Sequence, residues 1–456
     1  MRIVSTLNIC LFISQIFFLQ SCKKDISLTS SGVNIIVPTG DEKYLNIGSE
    51  HIFDETQLHT FEINLPKGAL EYLDSDPTKE EYVEGSLNFD GETISPVKIR
   101  YKGSVGAWIG GVSGKDWTNP SGKKTATKLS LKINFNWDGN GRKFYGLNKL
   151  QLHSQNNDAS QMRDRLGYWL YRQMGVHAPR AVHARVIIND VYYGVYALIE
   201  QIDDSFAKKN FSDGSGNIYK EIWPLNENGT AREACEFLRN LKTNTSDIPN
   251  ANIITDFAKA IESSESDNNL KLEIEKFMNI DKVLAYAVVD YTIRNDDGAF
   301  HWYCDENGCG NHNFYWVEEP SAKKIHLIPW DLDNAFENII KNMNPVTPIA
   351  DNWGETSNNC RAFPYESWYI YQKSAACDKL IGGWAFYTEK FNELKTNFIN
   401  GPFSFTEANS KIDEWTNQIR SAIHEATELH SDAISIEEWE SAIENLKAQL
   451  AHARTQ

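Results

Sequence analysis

From residue 51 to about 200, apolar and polar positions alternate in short runs bounded by turn residues: FEINL at 61–65, SLNF at 86–89, VKIRYK at 97–102 and TATKLSLKINFN at 125–136. A period of two turns one face of each run inward, so these segments predict strands and a β-rich N-terminal lobe. In the run 125–136, Lys128 and Lys132 stand four residues apart and are expected on one strand face. The stretch 184–203 holds two apolar runs around Asn189-Asp190, which reads as a hairpin of two buried strands. Glu200 ends the second strand, where it could meet a ligand at a lobe boundary. GNIYK at 216–220 adds one more short strand.

Helical periodicity takes over in three places. Met162, Leu166, Trp169, Leu170 and Met174 mark an apolar face closed by Gly175, and Asp158 to Gln161 before them resembles a capping box. Arg163 and Arg165 fall in its first turn, where a cation opposes the helix dipole; a phosphate or carboxylate partner for one of them would explain the placement, a solvated surface arginine being the commoner case. The segment 226–269 is polar, helix-prone and interrupted by breakers. From 273 the chain leads into the run FMNIDKVLAYAVVDYTI (277–293), which predicts an uninterrupted core helix that delivers the chain to Asn295-Asp296-Asp297. Near the C-terminus, Ile436, Trp439, Ile443, Leu446 and Leu450 form a heptad-like stripe expected to pack on the domain.

Composition narrows the class. At 456 residues, 41% hydrophobic and 12% aromatic, the chain is globular and long enough for two or three lobes. A net charge of -17 removes the electrostatic footprint of a nucleic-acid binder, so any phosphate site must be a local basic island. Residues 1–22 read as a lipoprotein signal peptide: Arg2, an apolar run at 9–19, then Leu19-Gln20-Ser21-Cys22 with Cys22 as the lipidated residue, an ordinary secretory signal being the alternative. Residues 23–50 are polar and read as a linker. The mature chain is therefore expected in the cell envelope, touching a membrane only through Cys22.

An extracytoplasmic compartment permits disulfides, which makes Cys304 with Cys309 and Cys360 with Cys377 the natural local pairs and leaves Cys235 free. His301, Cys304, Cys309 and His312 also have the symmetry of a two-Cys, two-His zinc knuckle, the sharper alternative.

The candidate chemistry gathers in 289–336. Asp296 and Asp297, then Asn313 opening the strand NFYWV, then Asp331 and Asp333 after the strand KIHLIPW, form an oxygen-rich set suited to a hard metal and phosphate. Two adjacent strand ends would present Asn313 and Asp331 to one ion, with Asp333 sharing it or a second. Asp297, in the turn after the core helix, could orient an attacking hydroxyl. Upstream, six glycines between 102 and 124 followed by the lysine-bearing run could let amides and an ammonium reach phosphates. The blander reading is a flexible hairpin loop below and turn-capping acidic residues above, with sugar hydrolysis by paired carboxylates as the rival chemistry.

Taken in order, Arg100 before the glycine-rich loop, K-x-S-x-K (Lys128, Ser130, Lys132), D-x-S-x-x-R-D (158–164), N-D-V-Y-Y-G-V-Y-A-L-I-E (189–200), N-I-Y-K (217–220), D-G-A-F before H-N-F-Y-W, and I-P-W-D-L-D resemble the CotH kinase family over roughly 97–336. The resemblance implies an α+β, atypical protein-kinase-like two-lobed fold: a β-rich N-terminal lobe at 51–200, a mixed C-terminal lobe at 201–340 and a mostly helical extension at 341–456. It implies transfer of the γ-phosphate of ATP, with Mg²⁺ or Mn²⁺, to Ser or Thr of a protein substrate. Asp297 then resembles the catalytic Asp, Asn313, Asp331 and Asp333 the metal ligands, and Lys128, Lys132, Arg163 and Glu200 the nucleotide-binding set. The insert HWYCDENGCGN before His312-Asn313 departs from the family pattern. It either forms an excursion clipped by Cys304 and Cys309 or moves Asp297 away from Asn313. A catalytically inactive module that binds glycan or an envelope protein is the alternative.

Overall fold

The computed structural model describes residues 37–245, 249–305, 308–340, 360–365 and 370–456. The proposed signal peptide and the first half of the proposed linker lie outside these residues. From Tyr44 onward the expected linker is already packed: Tyr44 is buried, and its carbonyl accepts from the Tyr145 amide at 2.7 Å.

The N-terminal strands are β1 (His59–Asn64), β2 (Val83–Phe89), β3 (Glu92–Tyr101), β4 (Val112–Gly114), β5 (Ser121–Lys124), β6 (Leu131–Asn134), β7 (Lys149–His153), β8 (Ala181–Ile188) and β9 (Val191–Ile199). Seven of them close a barrel in the order β1-β2-β3-β6-β7-β9-β8, and β4 with β5 makes a separate hairpin. Every barrel pairing is antiparallel except β1 with β8, which closes it in parallel. Period-two alternation does the sorting. Ile99, Tyr101, Leu131, Ile133, Leu150 and Leu152 belong to the barrel core, while Arg100, Lys132, Gln151 and His153 lie between them in sequence on the outer face. The run of β9 is apolar on both faces because both are covered, whereas β8 is apolar toward the barrel and carries His183 and Arg185 on its other face. Val182, Ala184, Tyr196 and Leu198 line the barrel, and Ala181, Val195, Ala197 and Ile199 join the second, larger core. The hairpin turns at Asn189 (φ 48) and Asp190 (φ 65), the positive-φ pair a two-residue turn requires.

That second core packs helix Arg163–Gln173, helix Ile280–Thr292 and the helices Phe405–Leu429 and Ile436–Ala453 around a three-stranded sheet of β10 (Ile218–Lys220), β13 (Phe314–Glu319) and β14 (Lys324–Pro329). A four-stranded sheet in the order β12-β11-β16-β15 comprises β11 (Trp302–Asp305), β12 (Gly308–Gly310), β15 (Phe363–Tyr365) and β16 (Ile370–Lys373). The fold is thus α+β. The C-terminal helices are docked by specific groups as well as by their buried stripe of Trp439, Ile443, Leu446 and Leu450. Arg165, 1% exposed, donates to Gln418 and to the Glu55 carbonyl and stacks 4.3 Å from the Trp415 ring, so it is a structural bolt.

Four local expectations are corrected. The strand expected at 125–136 keeps only Leu131–Asn134, because the Thr127 amide and hydroxyl both donate to Asp432 at 2.6 Å and draw 125–128 off the sheet. Lys128 and Lys132 therefore do not share a strand face. The glycine-rich stretch is structured, holding helix Val105–Ile109 and the β4–β5 hairpin. The capping box at 158–161 does not form: Gln161 adopts φ 59, and Asp158 instead accepts from the amides of Ser160 and Arg163. The apolar run 277–293 is broken where Asn279 accepts from the Lys282 amide, ending one helix at Phe277 and starting the next at Ile280.

Candidate active site

The site forms where the outer face of β3, β6 and β7 meets the ends of β13 and β14. Those two strands are antiparallel with Phe314 opposite Pro329, so Asn313 and Asp331 emerge at the same end. Both hold positive φ, 56 and 55, a conformation that Asn and Asp tolerate better than most residues. The Trp330 amide donates to the Asn313 carbonyl at 3.1 Å and locks the two ends together. The loop 331–333 lies against the first turns of helix Arg163–Gln173: the Asp331 amide donates to the Tyr168 hydroxyl at 2.9 Å and the Leu332 amide to Asp164 at 3.2 Å. Gly167 permits this approach, since a Cβ there would sit 2.6 Å from Leu332 Cδ1.

Asp297 reaches the same place from the end of helix Ile280–Thr292. Asn295 donates to the buried Asp290 carboxylate at 3.0 Å, which also accepts from the Tyr171 hydroxyl at 2.8 Å. This pins the turn that carries Asp297. The Asn313 amide nitrogen then donates to Asp297 Oδ2 at 2.8 Å. The insert is a hairpin of β11 and β12 clipped by the Cys304–Cys309 disulfide, so Asp297 and Asn313 remain adjacent despite it. Cys360 and Cys377 form the second disulfide, Cys235 takes part in neither, and the zinc knuckle is excluded because its two sulfurs are bonded to each other.

Opposite the carboxylates stands Lys102, at the end of β3. Its ammonium lies 2.6 Å from His153 Nε2 and 5.4 Å above the Trp330 ring. His153 Nδ1 is 3.5 Å from the Asp164 carboxylate. Burial and the nearby Lys102 charge push His153 down to about 3, so the ring is neutral, accepting from Lys102 and turning its N–H toward Asp164. Burial lowers Lys102 to about 8 against the pull of Asp331.

The acidic side is crowded. Burial and then the Asp331 charge raise Asp297 to about 7; burial raises Asp164 to about 7; and burial with the charges of Asp331 and Asp164 holds Asp333 well above the usual carboxylate range. Carboxylates brought together this way repel unless a cation lies among them. His153, Asp164 and Asp331 each offer a ligand atom, all within 4.8 Å of one another. With His153 engaged by Lys102 and Asp164, it is Asp331, Asp164, Asp297, Asp333 and the side-chain oxygen of Asn313 that make the donor set of a hard divalent ion, and these residues fit one.

The sequence-predicted residues separate accordingly. Asn313, Asp297, Asp331 and Asp333 converge. Lys132 pairs across from Arg100 on β3, and burial, then the Lys102 charge, lower its amine well below the usual lysine range, so it belongs to the same basic face. Arg163 borders the site, donating to the Asp333 carbonyl at 2.8 Å and to Glu337 at 3.2 Å, which supplies its anionic partner. Lys128 does not converge: its ammonium turns to the Val195 carbonyl at 2.8 Å. Nor does Glu200, which is 3% exposed and has both oxygens taken by the Arg180 guanidinium. Lys102, His153 and Asp164 are the residues that strand and motif reading passed over. The alternation of VKIRYK already put Lys102 on the polar face, on the near side of the glycine-rich loop rather than beyond it.

The sequence model described as CotH kinase protein matches residues 99–454, more than three quarters of the chain, and the protein belongs to that family. Among individual proteins, it is 23% identical over 209 residues to the inner spore coat protein H of Bacillus subtilis, covering 42% of this chain and 51% of that protein. It is also 23% identical over 218 residues to the invasin CotH3 of Rhizopus delemar, covering 45% of this chain and 35% of that protein. The matched segments thus span about half or less of these relatives.

Proposed function

We propose that this chain transfers the γ-phosphate of ATP to a Ser or Thr hydroxyl of a protein outside the cytoplasm. The observation that carries the reading is the gathering of Asp297, Asn313, Asp331 and Asp333 in one place, with the Lys102 ammonium near enough to feel the Asp331 charge. Phosphoryl transfer needs charge stabilisation and positioning more than covalent chemistry. Mg²⁺ or Mn²⁺, held by Asp331, Asp333 and the Asn313 oxygen, would supply charge neutralisation at the phosphates. Lys102, backed by Lys132, faces the phosphate oxygens. Asp297, oriented by Asn313, accepts the proton of the incoming hydroxyl, and an apparent value near 7 suits a base working at neutral pH.

A surface location is supported by the two disulfides, which need an oxidising compartment, and by the spore-coat and invasin names of the relatives. No helix among the described residues is long and apolar enough to cross a membrane. Anchoring through a lipid on Cys22 completes the proposal, and mass spectrometry of the mature N-terminus tests it.

Nucleotide binding is tested by thermal denaturation with Mg²⁺ and ATP. A ligand at about 100 times its dissociation constant stabilises by about 2.7 kcal/mol, so a clear upward shift is expected. No shift at millimolar Mg·ATP would leave the inactive binding module as the better reading.

A further inference from the structure

Lys128 lines a cavity distinct from the acidic site. The cavity holds about 600 Å³ between the segment 125–128, the loop 155–161, the first half of β9 and the 430–434 connection of the C-terminal helices. That volume lies within the range of small-ligand pockets. None of Lys102, His153, Asp164, Asp297, Asp331 or Asp333 lines it.

Its polar groups are unevenly satisfied. The Lys128 ammonium spends one proton on Val195, lies 5.4 Å over the Tyr196 ring and has no carboxylate within ion-pair distance among the described residues. Gln155 and Gln161, 6% and 5% exposed, each carry a buried amide oxygen with no partner. Such unmet groups in a native interior ask for an explanation. The carboxylates around the cavity, by contrast, are occupied. Asp158 accepts from Ser160 and Arg163, Asp432 from Thr127, and Glu438 from Ser435. His430 is turned to the Tyr192 carbonyl.

We infer that this cavity binds a neutral, hydroxyl-rich ligand, a saccharide of one or two rings. Three steps lead there. The two glutamine oxygens require donors and Lys128 requires an acceptor, and a sugar hydroxyl is both at once. Asp158, Asp432 and Glu438 are anionic and already satisfied, so their field opposes a phosphate or carboxylate and gives an ammonium no oxygen to bind. Tyr193, whose ring already carries the Lys124 ammonium at 4.9 Å, and Ala126, Ala159 and Ala426 supply the apolar part of the wall. This inference does not depend on the phosphotransfer reading, because the two sites share no lining residue.

The test is calorimetric titration of the full chain with glucose, N-acetylglucosamine, maltose and cellobiose, with inorganic phosphate as the anionic control. At least one saccharide is expected to bind at one site per chain, and phosphate is not. Lys128→Met and Gln161→Leu should each weaken binding about tenfold, since each removes one buried hydrogen bond. Ala426→Leu, which fills the cavity without touching a polar group, should abolish it. Should Lys128→Met fail to fold, the other two variants still decide. Binding by none of the four sugars, binding by phosphate alone, or saccharide binding unchanged in the folded variants would each overturn the proposal.

Discussion

Strand β7 belongs to two different environments, and the contrast between its faces explains much of the molecule. Leu150 and Leu152 point into the barrel, where their neighbours are apolar side chains such as Leu131 and Ile133. Gln151 and His153, one residue out of phase, face the outer side, and His153 stands between Lys102 and Asp164. The inner face asks only for the right period and volume, and it is interchangeable in detail. The outer face asks for particular partners at particular distances, and it is unstable in isolation because like charges are gathered there. One strand therefore stabilises the fold on one side and carries the proposed chemistry on the other.

Variants should separate the two faces. The largest effect is expected from Lys102→Met, which removes the cation facing the phosphates: phosphate transfer should fall by about 10²–10³, as when a single preorganised charge-stabilising donor is removed. Its unfolding free energy, measured by urea titration, should stay unchanged or rise, because burial already disfavours that ammonium. On the inner face Leu152→Ala should do the reverse. It should lower stability by about 2–5 kcal/mol, and transfer by the folded fraction should persist. A Lys102→Met protein that unfolds, or a Leu152→Ala protein that folds but loses transfer, would break the division.

The acidic cluster makes a pH prediction of smaller size. Asp297 has a folded value of about 7 against about 3.9 for an unfolded Asp, so the folded state holds the extra proton between those values. Stability from this group is therefore present at low pH and is lost as pH rises through 7. In Mg²⁺-free buffer, Asp297→Asn should become more stable than the parent as pH is raised from 5 to 7.5, by on the order of 1–2 kcal/mol after allowance for its partial exposure. Millimolar Mg²⁺ should shrink that gain by stabilising the parent. A stability difference that does not change with pH would mean that Asp297 is not desolvated.

Smallest is the clip. Replacing Cys304 and Cys309 together by Ser should cost about 2 kcal/mol or less, since the closed loop is short. Transfer should remain within a few-fold, because Asp297 is held by Asn313 and the Asp290–Asn295 contact rather than by the disulfide. A large loss of transfer in a folded double variant would show that the hairpin positions the site.

The inner face was the legible one. Alternation in 61–65, 86–89 and 97–102 marks three barrel strands, and the Asn189-Asp190 turn is found where its residues place it. The carboxylate side was legible too, because Asn313 and Asp331 sit at ends of readable strands. What the pattern could not show were contacts distant in sequence. Nothing near Lys128 announces that Asp432, three hundred residues on, pulls its segment off the sheet and leaves Lys102 to face the acids. Glu200 has the same history: strand position alone does not reveal that Arg180 occupies its oxygens. The break at Asn279 was hidden by an apolar run that continues through it, although Asn is a good helix cap.

The most direct test of the proposed phosphotransfer site is incorporation of label from γ-labelled ATP by the purified soluble chain with Mg²⁺ or Mn²⁺, beside Asp331→Ala. The parent should transfer label to itself or to an added protein acceptor, and Asp331→Ala, still folded, should transfer none. Equal incorporation by the two proteins, or none by the parent under conditions where Mg·ATP shifts its melting, would contradict the assignment.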